Sequence, residues 1–275
     1  MEKEFSKQVA DGERFEFGAN WNTFLKTLTN ERISVAESSL VEMLSGRPLA
    51  GQSFLDIGCG SGLFSLAARK LGYTVHSFDF DKQSVGCTIS LKEKYFADDE
   101  KWSIEEGSVS NNKFLNGLGK FDVVYSWGVL HHTGQMWAAL ENVAPLVAAG
   151  GKLFIAIYND QGLRSKAWLF VKRSYNANWL SRSLVKTIFI PYFIITSFCY
   201  DIFSFKNPLR RYREYKKLRG MSITTDWIDW LGGYPFEVAR PKQIIDFYTG
   251  RGFTLDKLKT TKRLGCNEFV FVKKV

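Results

Sequence analysis

A glycine-rich turn between a short apolar stretch and an amphipathic segment constrains this chain more than any other feature. The apolar stretch Ser53–Ile57 (SFLDI) is predicted to be a β-strand that carries Asp56 near its end. Gly58, Gly60 and Gly62 follow it, and the next nine residues have the apolar spacing of a helix. Glycines let the backbone come close to a ligand, and a helix N-terminus offers unpaired N–H groups. The stretch therefore predicts the first half of a nucleotide-binding βαβ unit.

The glycine spacing separates several classes of nucleotide site. A dinucleotide fingerprint would need a small residue where this chain has Leu63, and the Gly-Lys-Ser/Thr of a P-loop does not follow. The run LDIGCGSG instead resembles motif I of class I S-adenosylmethionine methyltransferases, hydrophobic-hydrophobic-Asp-x-Gly-x-Gly-x-Gly. The resemblance implies S-adenosylmethionine as the cofactor, with Asp56, Gly58, Gly60 and Gly62 holding its methionine part; a purely structural turn is the alternative.

Strands and helices alternate four times between residues 53 and 158, which predicts a parallel, doubly wound sheet. The second predicted strand ends at Asp79, 23 residues beyond Asp56. A carboxylate at this place can accept hydrogen bonds from both ribose hydroxyls of a nucleotide. Asp81 is the competing acid, and we favour Asp79 because it falls at the end of the strand.

Two further stretches, FDVVYSWGVLHHT and GGKLFIAIYND, also match class I methyltransferases in order. The closest likeness is to the UbiG-like group, the ubiquinone-pathway O-methyltransferases, and it covers about residues 50–160 and 240–272. The resemblance implies contacts with the adenine and at the borders of the methyl group. These residues are Ser108 and Val109 for the adenine, and Ser126 and Trp127 for the methyl group.

A helix and two strands predicted near the C-terminus complete the sheet as they do in class I methyltransferases. We therefore predict an α/β fold with a doubly wound, mostly parallel, seven-stranded Rossmann-like sheet, N-terminal helices and a helical insertion after strand five. Four parts follow from this prediction. They are an N-terminal helical lid (1–50), the cofactor-binding core (51–160), a helical, aromatic and basic insertion (161–238), and the completion of the sheet (239–275).

Methyl transfer to a hydroxyl needs precise positioning, worth roughly 7–11 kcal/mol, and a group that accepts the hydroxyl proton. His131 and His132 follow the fourth strand, at the edge where substrate meets cofactor. Residues 226–237, which follow no regular period, supply Asp229 and Glu237 as further candidates. The alternatives are that both histidines only shape their loop, and that residues 226–237 form a hydrophobic plug capped by acids.

Aromatic and polar residues around these candidates are predicted to form the substrate wall. Trp21 belongs to the N-terminal lid, whose alternative role is simple packing. Asn159 follows strand five. Trp230 and Tyr234 lie in the acidic aromatic segment. The four cysteines are scattered, so neither a zinc site nor a disulfide framework is predicted, and a reducing cytoplasm suits them.

The accepting atom is predicted to be oxygen on a small molecule, lipophilic or aromatic. The Asn/Asp-Pro-Pro-Tyr/Phe motif of amino-methyltransferases is missing after strand four, where the chain reads Ser126-Trp127-Gly128-Val129. No cysteine stands there either, which argues against C5 methylation of cytosine. The alternative function is an RNA-modifying methyltransferase that uses the basic insertion, although nothing in that insertion reads bases.

The insertion carries the basic charge of this protein. Residues 164–220 have a net charge of +11, whereas the whole chain carries +9. Residues 187–205 are apolar and aromatic, with Pro191 and Asp201 arguing against a transmembrane span. We expect an interfacial helix pair that contacts membrane through residues 186–219, at the inner face of the membrane. A cap over the active site and a homodimer interface are the alternatives.

Overall fold

A computed structural model of the chain describes residues 2–46, 48, 51–205, 207, 223–262 and 264–275. Within these residues seven strands form one sheet with the order β3-β2-β1-β4-β5-β7-β6. The strands are β1 (Ser53–Ile57), β2 (Thr74–Asp79), β3 (Trp102–Glu106), β4 (Phe121–Trp127), β5 (Val147–Tyr158), β6 (Phe253–Lys259) and β7 (Cys266–Lys273).

Strands β1 to β5 pair in parallel, and β7 is antiparallel to both of its neighbours, β5 and β6. This arrangement confirms the predicted doubly wound, mostly parallel, seven-stranded fold. The chain runs from β1 outward to β3 and then returns to β4 on the other side of β1. In open α/β sheets a ligand binds in the crevice at such a reversal, beyond the carboxyl ends of the strands.

Helices cover both faces of the sheet, which is why the central strands are apolar throughout. One core contains Leu40, Leu66 and Tyr125, and the other contains Leu140 and Ile244. The helices are α1 (Glu2–Ala10), α2 (Gly18–Leu25) and α3 (Asn30–Met43) at the N-terminus, then α4 (Leu63–Leu71), α5 (Lys82–Phe96), α6 (Asn112–Leu118) and α7 (Met136–Val143), with α8 to α11 after strand β5.

The insertion after β5 is helical, as predicted. It contains α8 (Leu163–Ala177), α9 (Trp179–Phe203) and α10 (Ile223–Gly232), and α11 (Pro241–Thr249) then leads back to the sheet. One local prediction was wrong. Residues 226–232, predicted to follow no regular period, are helical because their aromatic side chains pack against α8 and α9. Residues 187–203 belong to the single helix α9, and residues 206 and 208–219 of the predicted helix pair lie outside the described residues.

Helix α9 presents a long apolar surface to solvent. It has 25 residues, and its most apolar window has a mean hydropathy of 1.4 with only 6% of that window buried. Within the described residues, α9 alone could cross a membrane by its length and composition. Its inner face, with Phe189 and Phe193, packs against Trp168 of α8, so α8 and α9 form a helical hairpin, residues 163–203.

Candidate cofactor cleft and active site

A cleft of about 900 Å³ lies at the C-terminal edge of the sheet, at the reversal between β1 and β4. This volume is at the upper end of the range for ligand pockets, about 300–1,000 Å³, so it has room for a cofactor and a small acceptor. Most of the residues predicted to bind a ligand line it. They are Trp21, Asp56, Gly58, Gly60, Asp79, Ser108, Val109, Trp127 and His132.

The glycine turn has the backbone that its sequence predicts. Gly58 has φ +75°, and a Cβ there would stand 2.5 Å from Val129 Cγ1. Gly60 has φ +54°, and a Cβ would stand 3.0 Å from the indole nitrogen of Trp21. Gly62 does not line the cleft, because it packs against the backbone of α5 instead, at 2.9 Å from a built Cβ. The first two glycines therefore shape the cofactor floor and the third allows α4 and α5 to pack.

Asp79, the last residue of β2, and Asp81, two residues later, have different hydrogen-bond partners. Asp79 lines the cleft, and its carboxylate accepts the N–H groups of Gly60 and Asp81, each at 2.9 Å. The Asp81 carboxylate caps α5 through Gln83 N–H at 2.9 Å and accepts Gly18 N–H at 2.8 Å. Since a carboxylate has about four acceptor positions, Asp79 keeps capacity for ribose hydroxyls. Asp81 instead ties α2 to the core.

Asp56 lies in the floor of the cleft and is almost fully buried. Ser65 Oγ donates to it at 2.5 Å, and burial raises the pKa of Asp56 to about 7. In the register of the sheet Asp56 is directly opposite Tyr125 of β4. The Tyr125 hydroxyl is buried at the cleft and has no hydrogen-bond partner among the described residues. This end of the floor therefore offers both an acceptor and an unused donor to a ligand.

Of the residues that the resemblance places near the adenine and the methyl group, only some line the cleft. Ser108 and Val109 line the cleft after β3, and Trp127 lines it with 44% of its surface exposed. Ser126 does not, because its side chain is fully buried and its Oγ donates to Ile57 C=O at 3.1 Å. Successive residues of a strand point to opposite faces, so Ser126 and Trp127 cannot both face the cofactor. The predicted contact of Ser126 is therefore wrong in this structure.

Helix α2 closes the cleft from above. Trp21 packs over Gly60, and the ring of Phe17 lies 5.1 Å from the ring of His132. The helix is held at its first residue by the hydrogen bond from Gly18 N–H to Asp81. Trp21 thus contacts the glycine turn directly. The residues present fit S-adenosylmethionine: an open glycine floor, a carboxylate at the end of β2 that would accept ribose hydroxyls, and an aromatic cover.

The two histidines have different environments. His131 is fully buried against Tyr158, at 4.0 Å between rings, and does not line the cleft. Burial lowers its pKa well below the usual value. His132 lines the cleft, and its Nδ1 lies 2.5 Å from the carbonyl of Pro235. A carbonyl oxygen can only accept a hydrogen bond, so Nδ1 must carry the proton of the neutral ring. Nε2 is then unprotonated and can accept a hydrogen bond.

Burial and, to a smaller extent, the nearby charges of Lys172 and Arg14 together lower the pKa of His132 to about 3, although the hydrogen bond with the Pro235 carbonyl acts in the opposite direction. This histidine is therefore neutral at physiological pH and a weak base. Among the predicted catalytic histidines, His132 is the one placed at the cleft, and its environment favours hydrogen bonding over proton uptake.

The predicted acids of residues 226–237 lie behind the cleft wall. Glu237 accepts Met136 N–H at 3.0 Å and so caps the N-terminus of α7. Asp229 accepts a hydrogen bond from Asn20 Nδ2 of α2, and burial raises the pKa of Asp229 to about 7. Neither lines the cleft, whereas Asp226, one helical turn before Asp229, does. Both positions favour structural roles over the predicted catalytic ones.

The remaining predicted substrate residues are also placed behind the wall. Trp230 packs edge-on to Tyr158 at 5.7 Å, and Tyr234 accepts Phe15 N–H at 2.9 Å through its backbone carbonyl. Asn159 donates to Thr261 C=O at 2.9 Å and accepts from Asn267 at 3.1 Å. These side chains support the cleft and do not line it.

Sequence reasoning missed Glu268, a half-buried residue near the start of β7 that lines the cleft. The backbone of Glu268 pairs with β5 and β6, and its carboxylate makes no hydrogen bond or ion pair with any residue that the structure describes. Through Ala156 of β5 it lies in the same row of the sheet as Trp127. Strands are about 4.8 Å apart, so the backbones of Trp127 and Glu268 are about 10 Å apart. The sequence feature that could have indicated Glu268 is an acid within an otherwise apolar strand. Glu268 lies at the C-terminal edge of β5, where the cleft is, only because β7 runs antiparallel to β5.

Within the described ranges no group of three or more metal-ligating side chains occurs. A glycine floor after β1, an acid at the end of β2 and a crevice at the reversal of a doubly wound sheet define the class I type of S-adenosylmethionine site. Residues 30–199 match the family of methyltransferase domains. The chain belongs to this family, and S-adenosylmethionine is its cofactor, as predicted.

Individual relatives agree with this assignment. The chain is 31% identical over 138 residues to a ubiquinone biosynthesis O-methyltransferase of Parvibaculum lavamentivorans, covering 50% of this chain and 51% of that protein. A protein of the same name from Pelagibacter ubique is 30% identical over 179 residues, 65% of this chain and 68% of that protein. The chain thus spans about half the length of the first relative. The predicted likeness to this group is confirmed.

Among solved structures, the magnesium protoporphyrin IX methyltransferase of Synechocystis PCC 6803 with bound SAH has a TM-score of 0.52 to this chain. The match covers 90% of this chain and 86% of that chain at 14% sequence identity. At this identity the likeness shows the common fold. Nothing in these comparisons favours the alternative of an RNA-modifying enzyme.

Proposed function

We propose that this chain is an S-adenosylmethionine-dependent O-methyltransferase that acts on a hydroxyl of a small, lipophilic or aromatic molecule. The cofactor supplies an activated methyl group. The protein has to hold the hydroxyl oxygen in line with that group, exclude water and receive the hydroxyl proton. The names of the two relatives support oxygen as the accepting atom.

The observation that carries this proposal is the composition of the cleft beyond the cofactor floor. Phe17, Phe64 and Trp127 give it aromatic walls, which suit an apolar acceptor. Glu268 is a carboxylate in this region that no described residue engages, so it is free to take the hydroxyl proton. We therefore assign Glu268 as the proton acceptor and His132 as a hydrogen-bonding wall.

The experiment is an assay with methyl-labelled S-adenosylmethionine and a matched panel of acceptors. The panel contains phenols with and without an alkyl chain, the corresponding anilines, and total RNA. We expect label in the phenols, more of it when the alkyl chain is present, and little in the anilines or RNA. Transfer to an aniline or to RNA, with none to any phenol, would overturn the proposal.

We also propose that the protein is cytoplasmic and contacts the inner face of the membrane through the α8–α9 hairpin. The outer face of α9 exposes a row of large apolar side chains. Two basic residues of the same helix, Arg182 and Lys186, lie over the Tyr175 ring of α8. Residues 208–219 of the predicted contact lie outside the described residues. The exposed apolar residues of α9 include Leu180, Leu184, Ile188, Ile194, Ile195, Phe198 and Phe203.

Vesicle flotation tests this contact. We expect binding to vesicles that contain anionic lipid, partial release at high salt, and loss of binding in Ile194→Asp or Ile195→Asp. Each basic residue near an anionic surface adds about 1 kcal/mol, and the apolar part does not depend on salt. Val35→Asp, an exposed apolar residue of α3, is the matched control and should still float.

Three results would speak against the membrane contact. The first is a tight dimer in sedimentation without lipid binding, which would make the hairpin an interface between two copies. The second is binding to RNA that salt abolishes and that both Ile variants retain. The third is equal loss of flotation in Val35→Asp.

A further inference from the structure

A relay of buried hydrogen bonds runs across the sheet and ends at Asp56. Trp102 of β3 donates its indole N–H to Ser77 Oγ of β2 at 3.0 Å. Ser77 Oγ donates to Ser65 Oγ of α4 at 2.8 Å, and Ser65 Oγ donates to Asp56 Oδ2 of β1 at 2.5 Å. Trp102, Ser77 and Ser65 have none of their surface exposed, and none of the three lines the cleft. Asp56, where the relay ends, does line it.

The chemistry of the first member fixes the direction of the whole relay. An indole N–H can only donate a hydrogen bond, so Ser77 Oγ accepts from Trp102. Each serine hydroxyl has one hydrogen, and the hydrogens of Ser77 and Ser65 are both directed toward Asp56. Asp56 Oδ2 is therefore an acceptor, and its orientation is set by residues that lie outside the cleft.

The relay lies in a part of the core that is otherwise apolar. Its surroundings include Phe54 of β1 and Leu66 and Ala67 of α4, all fully buried. A buried hydroxyl is costly unless it is hydrogen-bonded. The backbone N–H of Ser65, in the first turn of α4, also bonds to Asp56, at a helix end that favours negative charge. Both groups of Ser65 thus favour the ionised form of the Asp56 carboxylate.

The ionised carboxylate of Asp56 has no cation beside it in the protein. Among the residues that the structure describes, no basic side chain forms an ion pair with Asp56, and the charge of Asp79 acts against its ionisation. A buried charge without a partner is costly. Because Asp56 borders the cleft, a cationic group of a bound ligand can supply the missing charge. S-Adenosylmethionine and S-adenosylhomocysteine both carry an ammonium group at their amino-acid end.

We propose that Trp102, Ser77 and Ser65 are positioning residues of the cofactor site, whose relay holds Asp56 as an ionised and oriented acceptor for the ammonium group of the cofactor. The relay is formed without the ligand, so Asp56 needs no reordering when the cofactor binds. This inference concerns the cofactor and does not depend on the nature of the methyl acceptor.

The ionisation of Asp56 makes the proposal testable by pH. Burial raises the pKa of Asp56 to about 7, and the hydrogen bonds from Ser65 act in the opposite direction. The titratable groups that interact with Asp56 are Asp79, Cys59 and Tyr125. Burial raises the pKa of Cys59 and of Tyr125 well above their usual values, so both stay neutral near pH 7. Asp79 titrates in the same range and is present in every variant compared.

The experiment measures the affinity for S-adenosylhomocysteine by calorimetry from about pH 5.5 to about pH 8.5. The ligand ammonium needs the ionised carboxylate, so affinity falls as the pH drops through the pKa of Asp56. Ser65→Ala removes a donor that favours ionisation, so the fall should begin about one to two pH units higher than in the wild type. Ser77→Ala and Trp102→Phe act through Ser65 and should give smaller shifts in the same direction.

Ser165→Ala is the matched control for the serine variants. Ser165 is buried and is the third residue of α8, as Ser65 is the third residue of α4. Its hydroxyl accepts Gln161 N–H at 2.8 Å, and it does not line the cleft. The pH profile of this variant should equal that of the wild type.

Two comparisons separate positioning from a purely structural role. In the double variant Ser65→Ala/Ser77→Ala, the second change should add no further pH shift, because Ser77 acts on Asp56 only through Ser65. The other comparison uses 5′-methylthioadenosine, which lacks the amino-acid end and its ammonium group. The affinity for this ligand should be the same in Ser65→Ala as in the wild type at every pH.

Three outcomes would overturn the proposal. One is a lower stability of Ser65→Ala in thermal unfolding with an unchanged pH profile, which would leave the relay as a packing device. Another is a loss of affinity for 5′-methylthioadenosine equal to the loss for S-adenosylhomocysteine. If Ser65→Ala does not fold, Ser77→Ala is measured in its place, and an unshifted pH profile in that variant is the third.

Discussion

Asp79→Ala is expected to weaken the binding of S-adenosylmethionine by about 10- to 100-fold while the fold is kept. The change removes the acceptor at the ribose position and leaves donor groups unpaired, which costs about 1–3 kcal/mol. It also removes the acceptor of Gly60 N–H and so loosens the glycine floor. Calorimetry with S-adenosylmethionine measures the affinity, and circular dichroism checks the fold.

Asp81→Asn is the comparison that separates the two acids. Its side chain caps α5 and holds Gly18, so the change should lower stability more than it lowers cofactor affinity. If Asp81→Asn weakened binding and Asp79→Ala did not, the ribose would be held by Asp81.

A lower pH should weaken the binding of S-adenosylmethionine, as Asp79→Ala does. Burial raises the pKa of Asp79 to about 6 in the protein without ligand, and ribose hydroxyls need the ionised carboxylate as acceptor. Affinity should therefore be full above about pH 7 and fall as the pH drops through 6. Asp56, whose pKa burial raises to about 7, titrates nearby, so Asp79→Asn is measured in parallel. The part of the pH dependence that is missing in Asp79→Asn belongs to Asp79.

Glu268→Gln is expected to lower kcat by about 100-fold or more at unchanged affinity for S-adenosylmethionine. Glutamine keeps the size of the side chain but cannot take the proton of an acceptor hydroxyl, and positioned proton transfer contributes about 10²- to 10⁴-fold. The measurement is turnover of the best phenol from the acceptor panel, with cofactor affinity determined separately.

Two variants serve as references for Glu268. Glu237→Gln removes charge from the cap of α7, so it should cost stability with little change in kcat. His132→Gln changes the cleft wall and should affect turnover less than Glu268→Gln does. Near-normal turnover in Glu268→Gln, with a large loss in His132→Gln, would assign the proton to His132 and contradict our interpretation.

The cofactor half of the site was predictable because its signals are local. A strand, a glycine turn and a helix follow one another between residues 53 and 71, and Gly58 and Gly60 have the positive φ angles that glycine favours. Asp79 was found by its place at the end of a strand. The prediction that Ser126 borders the methyl group failed because a resemblance to family motifs does not decide which face of the sheet each residue of a strand faces.

The acceptor half of the site was not predictable in the same way. Asp229 and Glu237 looked catalytic as acids in an aromatic segment, but their partners, Asn20 and Met136, come from parts of the chain far away in sequence. Glu268 was overlooked because its strand is last in the chain and reaches the cleft only through antiparallel pairing with β5.

The sequence by itself determined the class of fold, the cofactor and the floor on which that cofactor lies, because short-range backbone geometry and strand periodicity decide them. Only the tertiary structure decided which side chains meet beyond that floor. Lys172 is a basic residue in the sequence but fully buried in the fold, where its ammonium group donates to the backbone carbonyl of Trp230. Such contacts arise where separate elements pack, and no local pattern records them.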